Sequence, residues 1–184
     1  MSTSDTFLND TWRAYVHHPN DVDWTRESYT SIGILSSVSD FWSTWNAVVP
    51  VVERTMLFFM REHIFPSWDD PACIDGCIAS VIVHQSQAAE TFERIVQCTL
   101  GEVLVRDKSK WDLVNGVSIG PKKGFCVIKI WIAEDGVGAD ALDLPGTVDR
   151  TSIRMQPCRK HIEVARSASG TLGTLGHGSH HKRT

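Results

Sequence analysis

The stretch Glu53–Pro71 reads ERTMLFFMREHIFPSWDDP and joins two opposite kinds of sequence. Glu53–Arg61 is a strongly apolar strand. Glu62–Asp75 is a loop that holds two prolines and a tryptophan, Trp68, between Pro66 and Pro71. Toward the N-terminus, Thr11–His17 (TWRAYVH) alternates and reads as a strand. His18–Arg26 (HPNDVDWTR) is dense in turn residues and reads as a loop, and Tyr29–Leu35 reads as a second strand. Ser39 is placed to cap a short helix over Asp40–Val49 that stops at Pro50. Toward the C-terminus, Gly76–His84 is a β-branched strand. Gln87–Val103 carries one apolar stripe at three- and four-residue steps and predicts the longest helix. Val114–Ile119 and Gly124–Ala133 form a hairpin about a turn at Gly120–Lys123. Residues 136–150 are weakly helical at best, because Pro145 interrupts them, and His161–Arg166 reads as a last strand. Strands dominate and connections are hairpin-like. The pattern predicts an α+β fold, a mostly antiparallel sheet with helices on one face and the other left for solvent or ligand.

The 184 residues suffice for one domain with a single sizeable core. We expect a flexible 1–10, a folded 11–166 and a flexible Gly/Ser/His-rich loop or tail over 167–184. Hydrophobic residues make up 42% and charged residues 22%, which excludes wholesale disorder. No apolar run approaches the roughly 18 residues of a membrane span. Met1–Asp10 is hydroxyl-rich and acidic, so no secretory signal is expected. Five cysteines without an export signal read as reduced thiols in a cytoplasmic protein, or a nuclear one. The net charge of −4 excludes a protein that coats nucleic acid non-specifically, while leaving room for a small basic spot. The anomaly is seven tryptophans against two tyrosines.

A loop tryptophan is either a plug on the core or a platform for something flat. Trp68 and Trp24 both lie in loops that follow strands, each beside a carboxylate: Asp69 and Asp70 for Trp68, Asp23 for Trp24. Two parallel indoles can sandwich a planar base, and a carboxylate beside one can accept hydrogen bonds from its edge. A cationic base is favoured further by the π-faces. Lys122 and Lys123 stand at a hairpin tip, where a lysine pair is either merely solvated or a phosphate contact. Cys73 and Cys77 are spaced C-x3-C, with no second pair at zinc-site spacing. No nucleophile motif and no glycine-rich phosphate cradle is present, so no catalytic residue, metal or cofactor is assigned.

An ordered series of pieces resembles the eukaryotic translation initiation factor 4E family, the messenger-RNA cap-binding proteins. They are Trp12-Arg-Ala-Tyr15, Asp23-Trp24, Val38-Ser-Asp-Phe-Trp42-Ser-Thr-Trp45-Asn46, Leu57 through Asp70, Gly76, Phe92 through Glu102, Asn115-Gly116 and Ile128-Lys-Ile-Trp131. The resemblance spans roughly residues 7–166 and marks a divergent member. It implies a curved, mostly antiparallel sheet of about eight strands, backed by about three helices on its convex face. It further implies that the concave face binds 7-methylguanosine-capped messenger RNA without catalysis. Trp24 and Trp68 then match the stacking tryptophans, Asp69 the carboxylate that reads guanine, and Trp131 the contact to the methyl group. Lys122, with Lys123 beside it, matches a phosphate contact. Val38 and Trp42 match the convex patch that receives a scaffold protein of the initiation factor 4G type. Such a protein recruits the capped message for translation.

The departures carry their own implications. Asp69 is one methylene shorter than the family's glutamate. Cys77 and Val127 stand where the family often has basic residues, so Arg166 or the tail residues Lys182 and Arg183 would have to compensate. Glu93 and Gln97 make the partner patch polar where the family is leucine-rich. That opens two alternatives: a cap-binding repressor or storage factor with a divergent partner, and, further off, an enzyme that processes caps or nucleotides.

Overall fold

β1 (Phe7–His17) runs between β2 (Thr30–Ser37) and β3 (Met56–Arg61), antiparallel to both. The computed structural model describes residues 5–163. β4 (Cys77–His84), β5 (Val114–Lys122), β6 (Phe125–Ile132) and β7 (Arg154–Pro157) complete one curved antiparallel sheet in the order β2-β1-β3-β5-β6-β4-β7. The described residues thus hold seven strands rather than eight. Two α-helices, α1 (Val38–Val48) and α2 (Gln85–Leu100), pack on one face, and 158–163 is a further helical stretch.

The apolar run in β3 arises because this central strand is buried on both faces. Leu57 and Phe59 enter the main core under the helices, with Trp12, Trp45, Phe92 and Ile95. Phe58 and Met60 alternate to the opposite face and join Tyr15, Phe65, Ile78 and Trp131 in a second cluster. Gly116 permits the close approach of β5 to β3, since a Cβ there would lie 2.5 Å from the Phe59 carbonyl oxygen.

Several boundaries differ from expectation for identifiable reasons. β1 starts at Phe7, inside the segment expected to be frayed. Ser37, not Ser39, caps α1: its Oγ accepts from the Asp40 N–H at 3.2 Å, whereas Ser39 Oγ donates to Asp5. α2 begins two residues early, where His84 Nδ1 accepts from the Ser86 N–H. It stops at Leu100 rather than Val103. Glu102 turns left-handed (φ 54°), and the N–H groups of Glu102 and Val103 bond back to Thr99 and Cys98. This is a Schellman end built on glutamate instead of glycine.

The hairpin turn moves outward from Gly120–Lys123. Lys122 pairs with Phe125, leaving a two-residue loop with Gly124 at φ 83°. Gly120 and Pro121 stay in β5. The pairing of β3 with β5 ends at Ile119, so no ladder partner on that side requires the missing N–H of Pro121. The strand expected over His161–Arg166 does not form at 161–163, which are helical; 164–166 lie outside the described residues. The last strand is Arg154–Pro157 on β4, and the Cys158 N–H bonds the Gly76 carbonyl as the chain turns into the helix. Within 136–150 no α-helix forms: a 3-10 turn at Ala139–Ala141 is followed by a single bridge from Leu142 to Val105, and a second 3-10 turn, Arg150–Ser152, starts at the end of the segment.

Candidate functional site

The face of the sheet away from α1 and α2 carries a cavity of ≈ 260 Å³, and both loop tryptophans border it. Trp24 reaches it from the loop after β1. Asp21 accepts from the Asp23 N–H, and the Asp23 carboxylate accepts from the Thr25 N–H and hydroxyl. Those Thr25 bonds hold the Asp23 carboxyl below the usual range. The carboxylate beside Trp24 therefore folds the turn. The indole is 52% exposed. His17 lies parallel to it, with centroids 4.4 Å apart and an interplanar angle of 8°. His17 is itself buried, and its Nε2–H donates to the Asp23 carbonyl at 2.8 Å. One indole face is thus braced by His17, and the ring as a whole borders the cavity.

Trp68 is positioned by a loop that closes on Asp70. The Asp70 carboxylate accepts from the Phe65 N–H at 3.1 Å and the Ala72 N–H at 2.9 Å. Asn115 holds the Ala72 carbonyl from β5. The imidazole of His161 stacks on Trp68 at 4.6 Å and 18°, so the helical stretch 158–163 buttresses the ring. Burial, and then the nearby Lys129 ammonium, push the His161 pKa down and favour the neutral imidazole. Trp131 is buried, and its Nε1–H donates to Ser118 Oγ at 3.0 Å.

The cavity brings together Trp24, Trp68, Trp131 and Lys122. Val127 also borders it as an uncharged wall. Asp69 and Lys123 are exposed and stand outside the lining. Asp69 accepts from the Ser67 hydroxyl, and Ser67 does line the cavity, so Asp69 sits one hydrogen bond from its edge. Cys77 is buried at the start of β4, its thiol pushed up to about 11 by burial. Arg166, Lys182 and Arg183 lie outside the described residues.

The loop contacts separate the two neighbouring carboxylates. Asp70→Asn is expected to lower stability by about 1–2 kcal/mol, because it weakens two charge-assisted bonds to backbone N–H groups. Asp69→Asn loses only an exposed contact and is expected to leave the melting temperature unchanged. Thermal melts of both variants check this.

Sequence reasoning missed Lys129. It lies on β6 between Val127 and Trp131, and all three side chains border the cavity. The period of two that carries Trp131 to this face carries Lys129 with it. Its Nζ sits 5.0 Å from the Trp68 ring centroid. Burial, and then the Lys122 charge, ease its deprotonation. The lining holds two lysines and no carboxylate among the described residues, so the cavity is positive inside an acidic chain.

On the helical face, Val38 and Trp42 of α1 meet Gln97 of α2 across a second groove of ≈ 290 Å³. Val38 is 39% and Trp42 41% exposed. Glu93 stands outside the lining of this groove, and its carboxylate accepts from the Gln97 amide at 3.0 Å. Among the described residues, no three His, Cys, Asp or Glu side chains converge to hold a metal.

The fold has many solved counterparts. An Ascaris suum eIF4E-3 in complex with the m7G cap superposes with a TM-score of 0.66 at 17% identity, over 84% of this chain and 92% of that one. A C. elegans eIF4E-3 in complex with the 4E-binding protein Mextli and a cap analog gives a TM-score of 0.70 at 15% identity, over 89% and 96%. A schistosome eIF4E complexed with m7GpppA and 4E-BP gives 0.63 at 20% identity, over 72% and 74%. No curated protein matches the sequence. The family model for eukaryotic initiation factor 4E matches residues 7–157, which cover the sheet, both long helices and both tryptophan loops. The chain belongs to the eukaryotic initiation factor 4E family.

Proposed function

We propose that this protein binds the 7-methylguanosine cap of messenger RNA in the cavity between Trp24 and Trp68, without catalysis, and links the message to translation in the cytoplasm. One observation carries the reading: two loop tryptophans, each braced by a histidine, border one positively charged cavity. The volume suits a purine ring rather than a whole nucleotide, being below the roughly 300–1,000 Å³ of drug-sized sites. The base enters the cavity and the phosphates run out past Lys122 toward Lys123. Trp131 lies beneath the base, near its methyl group. Asp69 releases Ser67 to accept from the guanine edge, and Asp69→Asn costs cap affinity about 1–3 kcal/mol. The solved relatives in complex with the m7G cap and a cap analog support this reading.

The groove of Val38, Trp42 and Gln97 receives a protein partner, as the relatives complexed with Mextli and 4E-BP support. A scaffold of the initiation factor 4G type makes the protein an initiation factor. The Glu93–Gln97 pair favours a second reading, a repressor or storage factor whose divergent partner offers polar groups to this face.

The test is titration of tryptophan fluorescence with 7-methyl-GTP against GTP. N7 methylation makes the base cationic, and a cation between indoles gains roughly 0.5–2 kcal/mol over the neutral base. 7-Methyl-GTP is expected to bind and quench more strongly. Equal responses would remove the cap-specific reading.

A further inference from the structure

The ammonium of Lys129 is poorly explained by the fold alone. It is half-buried, borders the cavity, and lies over the Trp68 ring. No carboxylate pairs with it among the described residues, although the chain has an acidic excess. Its cross-strand neighbour is Ser118, whose hydroxyl accepts from Trp131 Nε1. A charge removed from water without an opposite charge is unfavourable and is ordinarily paired. Among the described residues no carboxylate supplies that counter-charge, and an anionic ligand in the cavity would. The same ammonium sits within the ~6 Å over which a cation polarises an indole face. It therefore competes with a cationic base for the Trp68 π-electrons.

We propose that Lys129 is the specificity-determining cation of this cavity: it pairs with the phosphate nearest the nucleoside, and its charge beside Trp68 reduces the preference for a methylated over an unmethylated base. The proposal rests on the cap-binding reading above and adds to it. It also accounts for how the site offers a second cation while Val127 presents an aliphatic side chain and Cys77 lies away from the cavity. Lys122 at the mouth and Lys129 inside form a two-cation track, and ligand affinity is carried more by phosphate charge than by base charge.

Lys129→Met keeps the length of the side chain and removes the charge. Lys129→Arg keeps the charge. Dissociation constants of wild type and both variants are measured for 7-methylguanosine, its 5′-monophosphate, GMP, 7-methyl-GTP and GTP, with circular dichroism to verify the fold. For wild type, adding the first phosphate to 7-methylguanosine is expected to tighten binding about tenfold or more, the range of one charge-assisted contact. In Lys129→Met that increment falls below about threefold, the bare nucleoside binds more tightly than to wild type, and the ratio of 7-methyl-GTP to GTP affinity rises severalfold. Lys129→Arg retains the phosphate increment. Equal increments and equal methyl ratios in wild type and Lys129→Met overturn the role of Lys129 and leave cap binding standing. A methyl ratio near one in both proteins overturns cap binding itself. If Lys129→Met loses the increment while the methyl ratio stays fixed, the competition at Trp68 is refuted.

Discussion

Trp68→Ala and Trp24→Ala are each expected to weaken 7-methyl-GTP binding about 10- to 100-fold, with different consequences for stability. Loss of one base-stacking face costs roughly 1–3 kcal/mol, and each tenfold corresponds to about 1.4 kcal/mol. Trp24 is half exposed, belongs to neither core cluster, and makes ring contacts to its bracing histidine and Tyr29, so its removal is expected to leave the fold intact. Trp68 packs on His161 and against the second cluster, so its removal also lowers the melting temperature. Isothermal titration alongside thermal melts reads both effects. Near-wild-type affinity in a folded Trp24→Ala protein would mean that this indole is a lid for His17 and not a platform. Trp68→Phe separates the roles further, because a smaller ring keeps the stack on His161 but offers less surface to a base. The fluorescence signal is interpretable in the same variants, since Trp12 and Trp45 are buried in the main core, away from the cavity.

The parts of this molecule that follow a regular period are legible in the sequence. The α2 stripe holds up to its last member: Ala88, Phe92, Ile95, Val96, Thr99 and Leu100 are all buried, whereas Val103, read as part of it, lies past the helix end and is exposed. The apolar run of β3 was a strand because its two faces meet two different clusters. Boundaries were harder, because competing side chains decide them. Ser37 and Ser39 are equally good caps by type, and only the Asp5 carboxylate, supplied from before β1, assigns Ser39 elsewhere. The last strand was missed because β7 is four residues long and takes its stability from pairing with β4 rather than from its own pattern.

The candidate site was legible to the extent that its residues are chemically distinctive. Trp24, Trp68, Trp131 and Lys122 are brought together, being large rings and a charge at loops, a strand and a hairpin tip. Asp23 and Asp70 looked like ligands by adjacency but serve as turn-formers, a use that short carboxylates share with binding. Lys129 escaped notice because a lone lysine between isoleucines reads as the solvent side of a strand. Its period-two relation to Trp131 places it on the same side of β6, and the structure shows that this side borders a cavity, with β4 and β5 flanking the strand.

Arg61→Met is expected to be the most damaging single substitution outside the apolar core, costing about 3–5 kcal/mol. Arg61 ends β3 and is 4% exposed. Its Nε–H donates to the Val114 carbonyl at 3.0 Å and its Nη2 to the Trp111 carbonyl at 3.2 Å. Nη1 pairs with Asp10 and, at 2.8 Å, with Glu102. The guanidinium also lies over the rings of Trp12 and Trp111, at 4.7 and 5.2 Å from their centroids. One side chain therefore ties β1, β3, the end of α2 and the start of β5. Glu102 is the vulnerable partner: its side chain is 8% exposed and its backbone is left-handed, a conformation that disfavours any residue with a Cβ. Among the described residues, without Arg61 the Glu102 carboxylate keeps only the Asn9 amide, at 2.7 Å. Denaturant and thermal unfolding should show a fall in melting temperature of roughly 6–20 °C, given about 2–4 °C per kcal/mol for a chain of this size. Arg61→Lys is expected to recover only part of the loss, because a single ammonium cannot span two carboxylates and two carbonyls. The decisive comparison is Arg61→Met in a Glu102→Gly background. Glycine accepts the left-handed turn and removes the stranded carboxylate, so the cost of Arg61→Met should there be smaller by more than about 1 kcal/mol. An unchanged cost would mean that the tie to Val114 and the stacking on Trp12, rather than the ion pair with Glu102, carry the stability of this corner.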